Sequence, residues 1–519
     1  MVSAVLFITF FVLLVLNVPI SVCLGLSSAA AILYSGTSLT IVATNIYSGI
    51  SKFLLLAIPF FVLSGNIMAK AGISTRLIRF VDTCVGHRKG GIANVCIIVA
   101  CFFGAISGSG PATVAALGAV LIPAMVERGG FSAAFSTALM ATSSSIAIVI
   151  PPSIAFVVYA SITGVSIGDM FMAGIIPGIL MGLALVVVVM LEVRRNHVVP
   201  STVEKASAKE RWNAFKDAFW GFLMPVIILG GIYGGIFTPT EAAAVSVVYG
   251  LFVGMIIYKE VKFKDLWEIL IDSAKTTGGI MLIVACASLF SFVCTRFGIS
   301  TAASELLARV AGNQFTFLLI CNIIFLIAGC FIDANSAMYI FIPIMLPVCK
   351  ALGYNVIAFG IMATVNLAIG QVTPPVGVNL FVAIGIKLRD GIRVTLQEIS
   401  RAVVPMVAAS IVVLLIITYI PQISTCLPAA LGSAAAIENG ETAGGDSGTT
   451  QTDNDDFNTI GDYSDLDWAD MTWNFTCSTT ETSTWAQAGR KFGELMEQAT
   501  GGKVKVDVYA ADQLTGGNQ

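Results

Sequence analysis

Charged residues are scarce in this sequence: only 11% of its 519 residues are Asp, Glu, Lys or Arg, whereas 56% are hydrophobic. Soluble globular chains carry about 25% charged residues, so this composition excludes a soluble globule. Apolar runs close to the ~20 residues that cross a hydrocarbon core recur along the chain. The sequence therefore predicts a polytopic membrane protein.

The sequence also lacks residues and motifs that several kinds of enzyme and pump require. The only two histidines, His87 and His197, fall in basic loops, so a serine nucleophile such as Ser107 would have no base at membrane depth. No GxxxxGK[ST] motif is present, which argues against an ATP-driven pump. The eleven cysteines include no CxxC pair and are expected to be small buried hydrophobes. We therefore do not expect an enzyme.

Apolar stretches give a first layout of the membrane segments. Eight are predicted to span the bilayer: 3–17, 19–35, 53–70, 170–192, 216–236, 239–258, 275–296 and 402–420. Two more are long enough to cross but are interrupted by adjacent prolines: 132–163 at Pro151 and Pro152, and 356–386 at Pro374 and Pro375. Another two, 92–126 and 315–349, have Gly, Ser, Asn or Asp at their centres. Each half of these is too short to cross, so they are predicted to be re-entrant hairpins.

The basic residues orient this layout. Most Lys and Arg residues fall in the loops placed inside, whereas the outer loops of the membrane region hold only Lys52, Arg296, Arg309 and Lys350. This bias follows the positive-inside rule and predicts that the N-terminus and the C-terminal tail both lie outside. The stretch after Met1 has no basic n-region, so we expect a retained helix there and not a cleaved signal peptide.

An internal repeat relates the two halves of the membrane region. The tetrapeptide GIST begins at Gly72 and again at Gly298, 226 positions later. At the same offset the hairpin centres correspond, Ser107 and Ser109 with Asp333 and Asn335. Each unit, about 3–195 and about 216–420, is predicted to contain three helices, a hairpin, a broken helix and a last helix. That gives five crossings, and an odd number inverts the second unit.

The paired helix breaks favour transport as the function. A helix broken in hydrocarbon frees backbone amides and carbonyls, which cost several kcal/mol each unless a polar partner satisfies them. Helix N-termini can face an anion, while freed carbonyls coordinate a cation. Inverted repeats with discontinuous helices are typical of secondary transporters, with the site near the midplane. The alternative, two prolines that merely kink a helix, is weaker for two pairs at equivalent positions.

Several long motifs carry a resemblance to a known family: GSGPATVAALGAVLIPAM, FTPTEAAAV, FIDANSAMYIFIPIMLP and GQVTPPVGVNLFV. Over residues 1 to about 425, the sequence resembles the large membrane subunit, often called DctM, of tripartite ATP-independent periplasmic transporters. The resemblance implies an elevator-type, sodium-driven importer of organic acids, such as C4-dicarboxylates, in the bacterial cytoplasmic membrane. It also implies two partners, a small membrane subunit of four helices and a periplasmic binding protein. A single-component symporter of the same architecture remains an alternative.

The resemblance also implies site residues, carried over by motif. The expected sodium ligands are Ser107, Ser109, Ser143, Ser145, Asp333, Asn335, Asn366 and Thr373. A substrate carboxylate is expected between the hairpin tips, near Thr113, Ser153, Thr373 and Asn379. No other metal, cofactor or nucleic-acid partner is expected. Small residues such as Ser107 can also serve helix packing alone, and capping of its hairpin half is the alternative for Asp333, although a carboxylate at membrane depth is usually functional.

The C-terminal part differs from the rest. Residues 426–470 are predicted to be a disordered acidic linker, because 437–470 is rich in Gly, Ser, Thr, Asp and Glu. Residues 471–519 then show a strand, a helix and a second strand by their periodicity. This stretch is similar to the start of the family's periplasmic binding protein, and it is too short to bury an adequate core alone. We expect a truncated solute-binding domain.

Overall fold

The computed structural model describes residues 1–16, 18–195, 205–386, 394–432, 471–477, 484–500 and 503–510. The chain divides into two compact units, Met1–Glu441 and Thr442–Gln519, each of which is described by itself.

The first half of the larger unit is helical. Its helices are α1 (Val2–Val15), α2 (Ile20–Tyr34), α3 (Thr40–Ile50), α4 (Ala57–Lys70), α5 (Ile73–Val85), α6 (Gly91–Ser107), α7 (Gly110–Glu127), α8 (Ala133–Ser145), α9 (Ile154–Thr163) and α10 (Ile167–Arg195). Short 3₁₀ turns, Phe53–Leu56 and Ile146–Ile148, precede α4 and follow α8.

The second half repeats this order. Its helices are α11 (Ala208–Tyr233), α12 (Pro239–Leu251), α13 (Phe263–Arg296), α14 (Ile299–Ala311), α15 (Gln314–Phe331), α16 (Ala334–Ala351), α17 (Val356–Gly370), α18 (Val378–Ile384), α19 (Leu396–Tyr419) and α20 (Gln422–Ala430). A π-helical stretch, Phe252–Ile257, extends α12. Thus α13 corresponds to α3 and α4 together, and α14 to α19 correspond to α5 to α10.

Within the described residues, nine helical segments are long and apolar enough to cross a membrane. The predicted all-α polytopic membrane fold is confirmed. One predicted segment begins too late: the range 275–296 is only the C-terminal part of α13, which begins at Phe263. Helices α3, α5 and α14 were not predicted; α5 and α14 have one apolar and one polar face, so a search for uniformly apolar stretches passes over them.

Equivalent helices of the two halves run in opposite directions. The Asn66 amide on α4 donates to the Ser273 hydroxyl on α13 at 2.8 Å. One turn further along α4, Lys70 pairs with Glu268 at 3.1 Å. Residue numbers therefore rise along α4 where they fall along α13. Because α4 and the end of α13 occupy equivalent places in the repeat, the second half is inverted relative to the first.

Each half contains a hairpin and a broken helix at the predicted positions, but the expectation that each half of a hairpin is too short to cross is wrong for α7, α15 and α16, which are among the nine described segments long and apolar enough to cross. Helices α6 and α7 form the first hairpin, because Gly108 turns the chain in the left-handed region at φ +59° and the next residue is extended. In the second hairpin, Ile332 and Asp333 are extended between α15 and α16. Residues 149–153, with Pro151 and Pro152, separate α8 from α9, and residues 371–377 separate α17 from α18.

The broken helices lie at the centre of the larger unit. All residues of α17 from Ile357 to Gly370 are buried, as are all residues of α8 from Phe135 to Ser145. A helix that is buried on every side is surrounded by other helices. The first break is buried apart from Ile150, which is partly buried. In the second break Gln371, Val372 and Gly377 are buried, whereas Pro375 is exposed.

The smaller unit has a strand–helix–strand order. Strand β1 (Met471–Cys477) pairs in parallel with β2 (Val504–Ala510), with register from Met471–Val504 to Cys477–Ala510. Helix α21 (Thr484–Ala499) connects them, as a parallel pair requires. Of the predicted linker 426–470, the first residues belong to α20, which continues to Ala430; residues 433–470 lie outside the described residues.

Candidate functional site

The tip of the first hairpin brings together three of the predicted residues. The hydroxyls of Ser107 and Thr113 lie 2.8 Å apart, and the Thr113 hydroxyl donates to the Ser109 carbonyl at 2.8 Å. Ser107 and Thr113 are buried. Because Ser109 is the extended residue before α7, its carbonyl is turned toward these hydroxyls. The tip thus presents a compact group of neutral oxygens.

This tip lies against the first helix break. A Cβ atom built on Gly108 would be 2.8 Å from the Pro152 carbonyl oxygen, so only glycine fits. The Ser153 hydroxyl donates to the Ile148 carbonyl at 2.5 Å and accepts from the Phe156 amide at 3.4 Å. Ser153 therefore satisfies backbone groups on both sides of the break, and its hydroxyl already has a donor and an acceptor contact within the protein.

The serines that precede the first break differ in their partners. The Ser145 hydroxyl donates to the Thr142 carbonyl at 2.8 Å, as a serine within a helix commonly does. The Ser143 hydroxyl faces the Cys96 thiol and has no other partner in the described part of the chain. Of these two predicted ligands, Ser143 is the one with spare hydrogen-bonding capacity.

The second hairpin tip is organised by Asp333. Its carboxylate accepts from the backbone N–H groups of Asn335 at 3.0 Å and Ser336 at 3.2 Å, and the Ser336 hydroxyl also donates to it. Asp333 is therefore an N-cap of α16. Asp333 and Asn335 are half-buried, and the Asn335 side-chain oxygen has no partner among the residues described.

The second tip lies against the second break, as the repeat predicts. A Cβ atom on Gly370 would be 2.5 Å from the Cα of Gly329, so α15 and α17 touch backbone to backbone. The Gly377 backbone amide, at the end of the break, donates to the Cys330 carbonyl at 3.4 Å. The Thr373 hydroxyl donates to the Ile369 carbonyl in the last turn of α17 at 2.7 Å.

Asn366 joins a polar group away from the tip. Its side-chain nitrogen donates to the Asn322 oxygen at 2.7 Å and the Met362 carbonyl at 2.9 Å. The Asn322 nitrogen in turn lies 3.3 Å from the Thr418 hydroxyl. The Asn366 side-chain oxygen is buried and has no partner within the described ranges. Asn366 thus links α15, α17 and α19, with one oxygen still free to accept.

The first tip also meets the second break, and the two halves join there. A Cβ atom on Gly110 would be 2.8 Å from the Asn379 side-chain nitrogen and 3.0 Å from the Gln371 side-chain oxygen. The Asn379 nitrogen lies 3.4 Å from the Ser144 hydroxyl. The side-chain oxygens of Asn379 and Gln371 are buried without a partner in the described structure. Buried unsatisfied oxygens are rare in native proteins and point to an unseen ligand, ion or water.

Three of the four residues predicted to contact the substrate are therefore near the first tip. Thr113 belongs to it, Ser153 follows the Pro152 carbonyl that it touches, and Asn379 faces Gly110. The Thr373 hydroxyl bonds the last turn of α17 instead. Gln371 was missed by sequence reasoning. The available signal was its position: it is an amide side chain in a mostly apolar segment, three residues before the second proline pair.

Helix N-termini add a directional electrostatic component. Helix α7 begins at the first tip, α9 begins at the first break and α16 begins at the second tip. Each N-terminus carries about half a positive charge, but Ser153 and Asp333 already accept from first-turn amides of α9 and α16, so α7 is the one of the three without a side-chain cap. This arrangement can hold an anion without a basic side chain, while carbonyl and hydroxyl oxygens beside it can hold a cation.

Comparison with known proteins gives a consistent family match. The profile described as "Tripartite ATP-independent periplasmic transporter, DctM component" matches residues 7–423. The chain is 38% identical over 436 residues to the C4-dicarboxylate TRAP transporter large permease protein DctM of Rhodobacter capsulatus, covering 81% of this chain and 97% of that protein. It is 40% identical over 420 residues to the isethionate TRAP transporter permease protein DctMQ of Oleidesulfovibrio alaskensis, covering 81% and 65%.

A solved structure supports the fold. The Alcanivorax borkumensis YdaH transporter, reported to have an unusual topology, aligns with a TM-score of 0.53 and 15% sequence identity, covering 76% of this chain and 88% of that one. At this identity the likeness concerns the fold alone.

Proposed function

Since the chain belongs to the DctM family, the large membrane permeases of tripartite ATP-independent periplasmic (TRAP) transporters, we propose that it imports an organic acid with sodium as the coupling ion. The acid is a C4-dicarboxylate or a similar carboxylate. The relatives are transport permeases by name, and transport requires no catalytic group in the membrane region.

One observation carries the proposal: two polar hairpin tips lie on two helix breaks, and unpartnered amide oxygens of Gln371 and Asn379 face the first tip at Gly110. Leaving a buried polar group unsatisfied costs about 1–3 kcal/mol. A bound solute and its hydration water would remove that cost. The substrate carboxylate lies next to the N-termini of α7 and α9, and the Asn379 and Gln371 amides position the rest of the molecule.

Sodium occupies the polar group at each tip. The first ion is held by Ser107, the Ser109 carbonyl, Ser143 and Ser145 across the tip and α8. The second is held at its tip by Asp333, Asn335 and Thr373. Asn366, whose side chain bonds Asn322 away from the tip, is not one of its ligands. The free oxygen on Asn335 supports this set, and Asp333 supplies the one carboxylate. Asp333 caps α16 in addition, because its carboxylate has more lone pairs than its three donors use.

Movement couples the two ions to the substrate. We define the transport unit as α6 to α9 with α15 to α18, and the scaffold as α1 to α4 with α11 to α13. Sodium completes the geometry of the tips, which pre-forms the substrate site, and the transport unit then moves as one body against the scaffold. The site would thereby face each side of the membrane in turn. The contact between the two hairpins and both breaks supports motion as one body.

The complete system includes two partners and a defined orientation. A periplasmic binding protein delivers the acid, and a small four-helix membrane subunit joins the scaffold. The protein lies in the cytoplasmic membrane with its N-terminus and C-terminal tail on the periplasmic side. The distribution of basic residues supports this orientation.

Reconstitution tests the proposal. The permease and the small subunit are placed in liposomes, and uptake of radiolabelled succinate is measured with the binding protein outside. We expect uptake with an inward sodium gradient and little with a potassium gradient of the same size. Equal uptake in both would contradict sodium coupling. Uptake that is unchanged when the binding protein is left out would favour the single-component symporter. Isethionate, tested in parallel with its own binding protein, separates a carboxylate site from a sulfonate site.

A further inference from the structure

Lysine 52 connects the scaffold to the transport unit. It lies between α3 and the 3₁₀ turn before α4, and its ammonium group donates to the Ser161 carbonyl at 2.6 Å. Ser161 is in the last turn of α9. Residues 109 positions apart in sequence are thus joined by one charged hydrogen bond, which crosses the boundary between the two bodies.

The end of α9 favours a cation. The last four carbonyls of a helix have no partner within the helix, and the C-terminus carries about half a negative charge. Gly164 caps the helix by donating to the Ala160 carbonyl at 2.9 Å, which leaves the Ser161 carbonyl to Lys52. Partial burial lowers the pKa of Lys52 from its ordinary 10.5, so this contact removes some water from the ammonium group.

The same end of α9 is fastened within the transport unit. The Ser161 hydroxyl lies 3.0 Å from the Tyr339 hydroxyl on α16. The Tyr159 hydroxyl donates to the carbonyl of Val356, at the start of α17, at 2.6 Å. A force on the end of α9 is therefore passed to both halves of the transport unit. At its other end, α9 begins directly after Ser153 at the first break.

Among the residues that the structure describes, only one half of the repeat has this connection. At the offset of 226, the counterpart of Lys52 is Gly278, within the continuous helix α13. A Cβ atom built on Gly278 would have no neighbouring atom within 4 Å. Because the two halves are inverted, an equivalent connection at Gly278 would hold the transport unit in the opposite position. No equivalent contact at Gly278 therefore stabilises the opposite position of the transport unit against the Lys52 contact.

We propose that Lys52 is a positioning residue that holds the transport unit in the position seen here, by bonding the C-terminal end of α9, and that this bond breaks in each transport cycle. The inference rests on the proposed movement. It goes beyond that movement by naming the contact that sets the balance between its two end positions. Lys52 acts on the site through α9, without contact to the substrate.

A distance measurement tests this role. Spin-labelled amino acids are introduced by codon suppression at Ile236, exposed on the scaffold, and at Lys350, exposed at the end of α16. The full chain with its small subunit is placed in lipid nanodiscs, and the distance distribution is measured by electron–electron double resonance. We expect Lys52→Ala to shift the ratio of the two positions about 2- to 5-fold away from the one seen here, as estimated for a cation at a helix C-terminus. Lys52→Arg, which keeps the positive charge, should show the wild-type ratio.

A second lysine provides the matched control. Lys70 pairs with Glu268 at 3.1 Å, and both belong to the scaffold, so Lys70→Ala should leave the ratio unchanged. An unchanged ratio in Lys52→Ala, or an equal shift in Lys70→Ala, overturns the role of Lys52 while the proposed function stands, provided that sodium and succinate still shift the wild-type distribution. A single wild-type distance under all these conditions overturns the movement itself, and the role of Lys52 with it.

Discussion

Adding one methyl group at Gly370 should destabilise the protein and disturb its second tip. The new Cβ atom would lie 2.5 Å from the Cα and carbonyl carbon of Gly329 and 2.9 Å from its oxygen. All three are backbone atoms, so no side chain can rotate away. Carbon atoms pack at about 3.5–4.0 Å, and α15 and α17 must therefore separate by about 1 Å. Overpacking of this kind costs about 1–3 kcal/mol.

A matched control is available in the same protein. Gly278 lies within α13, and a Cβ atom there has no neighbour within 4 Å. Gly278→Ala should be neutral or stabilise the helix by up to about 1 kcal/mol, because alanine is the better helix former. Comparing Gly370→Ala with Gly278→Ala separates the effect of close backbone contact from that of a glycine-to-alanine change in a membrane helix.

The assay has two readouts. Thermal unfolding of the purified complex, followed by intrinsic fluorescence, should show a lower midpoint for Gly370→Ala than for wild type and no decrease for Gly278→Ala. The sodium concentration for half-maximal uptake should rise in Gly370→Ala only, because the second tip lies beside the contact between Gly329 and Gly370 that the new methyl group pushes apart. If Gly370→Ala unfolded at the wild-type temperature and kept wild-type sodium activation, the close approach of α15 and α17 would not be as described.

Three further predictions concern the site itself. Asp333→Asn and Thr373→Val should raise the sodium concentration for half-maximal uptake severalfold with little change in unfolding temperature; wild-type sodium activation in the double variant would refute the second sodium site. Gln371→Leu should raise KM for the organic acid about 2- to 10-fold, the worth of one hydrogen bond, and an unchanged KM would exclude contact with substrate. Asn366→Ala and Asn322→Ala should both lower the unfolding temperature with little change in sodium affinity, because their side chains bond each other away from the tip; weaker sodium binding in Asn366→Ala alone would place that residue in the sodium site.

The helix breaks and hairpins could be predicted because their causes are local. Proline pairs remove backbone donors wherever they occur, and Gly108 permits a turn that other residues resist. The start of α13 could not be found in the same way. Its first turns contain Lys264, Asp265 and Glu268, so an apolar search excludes them although the helix continues without interruption.

The sequence predicted where site residues lie along their helices, but not the direction in which their side chains point. The repeat gives the height of Asn366 within its helix, whereas the direction of its side chain depends on how α17 is rotated against α15. That rotation turns it toward Asn322. Gln371 and Lys52 were passed over for a related reason: their contacts with Gly110 and Ser161 join distant segments. Such contacts follow from three-dimensional packing and leave no periodic pattern in the sequence.

The shortness of α9 has an electrical consequence. Its ten residues extend about 15 Å, half of a ~30 Å hydrocarbon layer. A solute held at its first residue would therefore have roughly half the insulating thickness on either side. Each net elementary charge that travels with it across the whole layer gains or loses about 2.3 kcal/mol per 100 mV. An excess of sodium charge over the charge of the acid would make the membrane voltage, together with the sodium gradient, a source of energy for uptake.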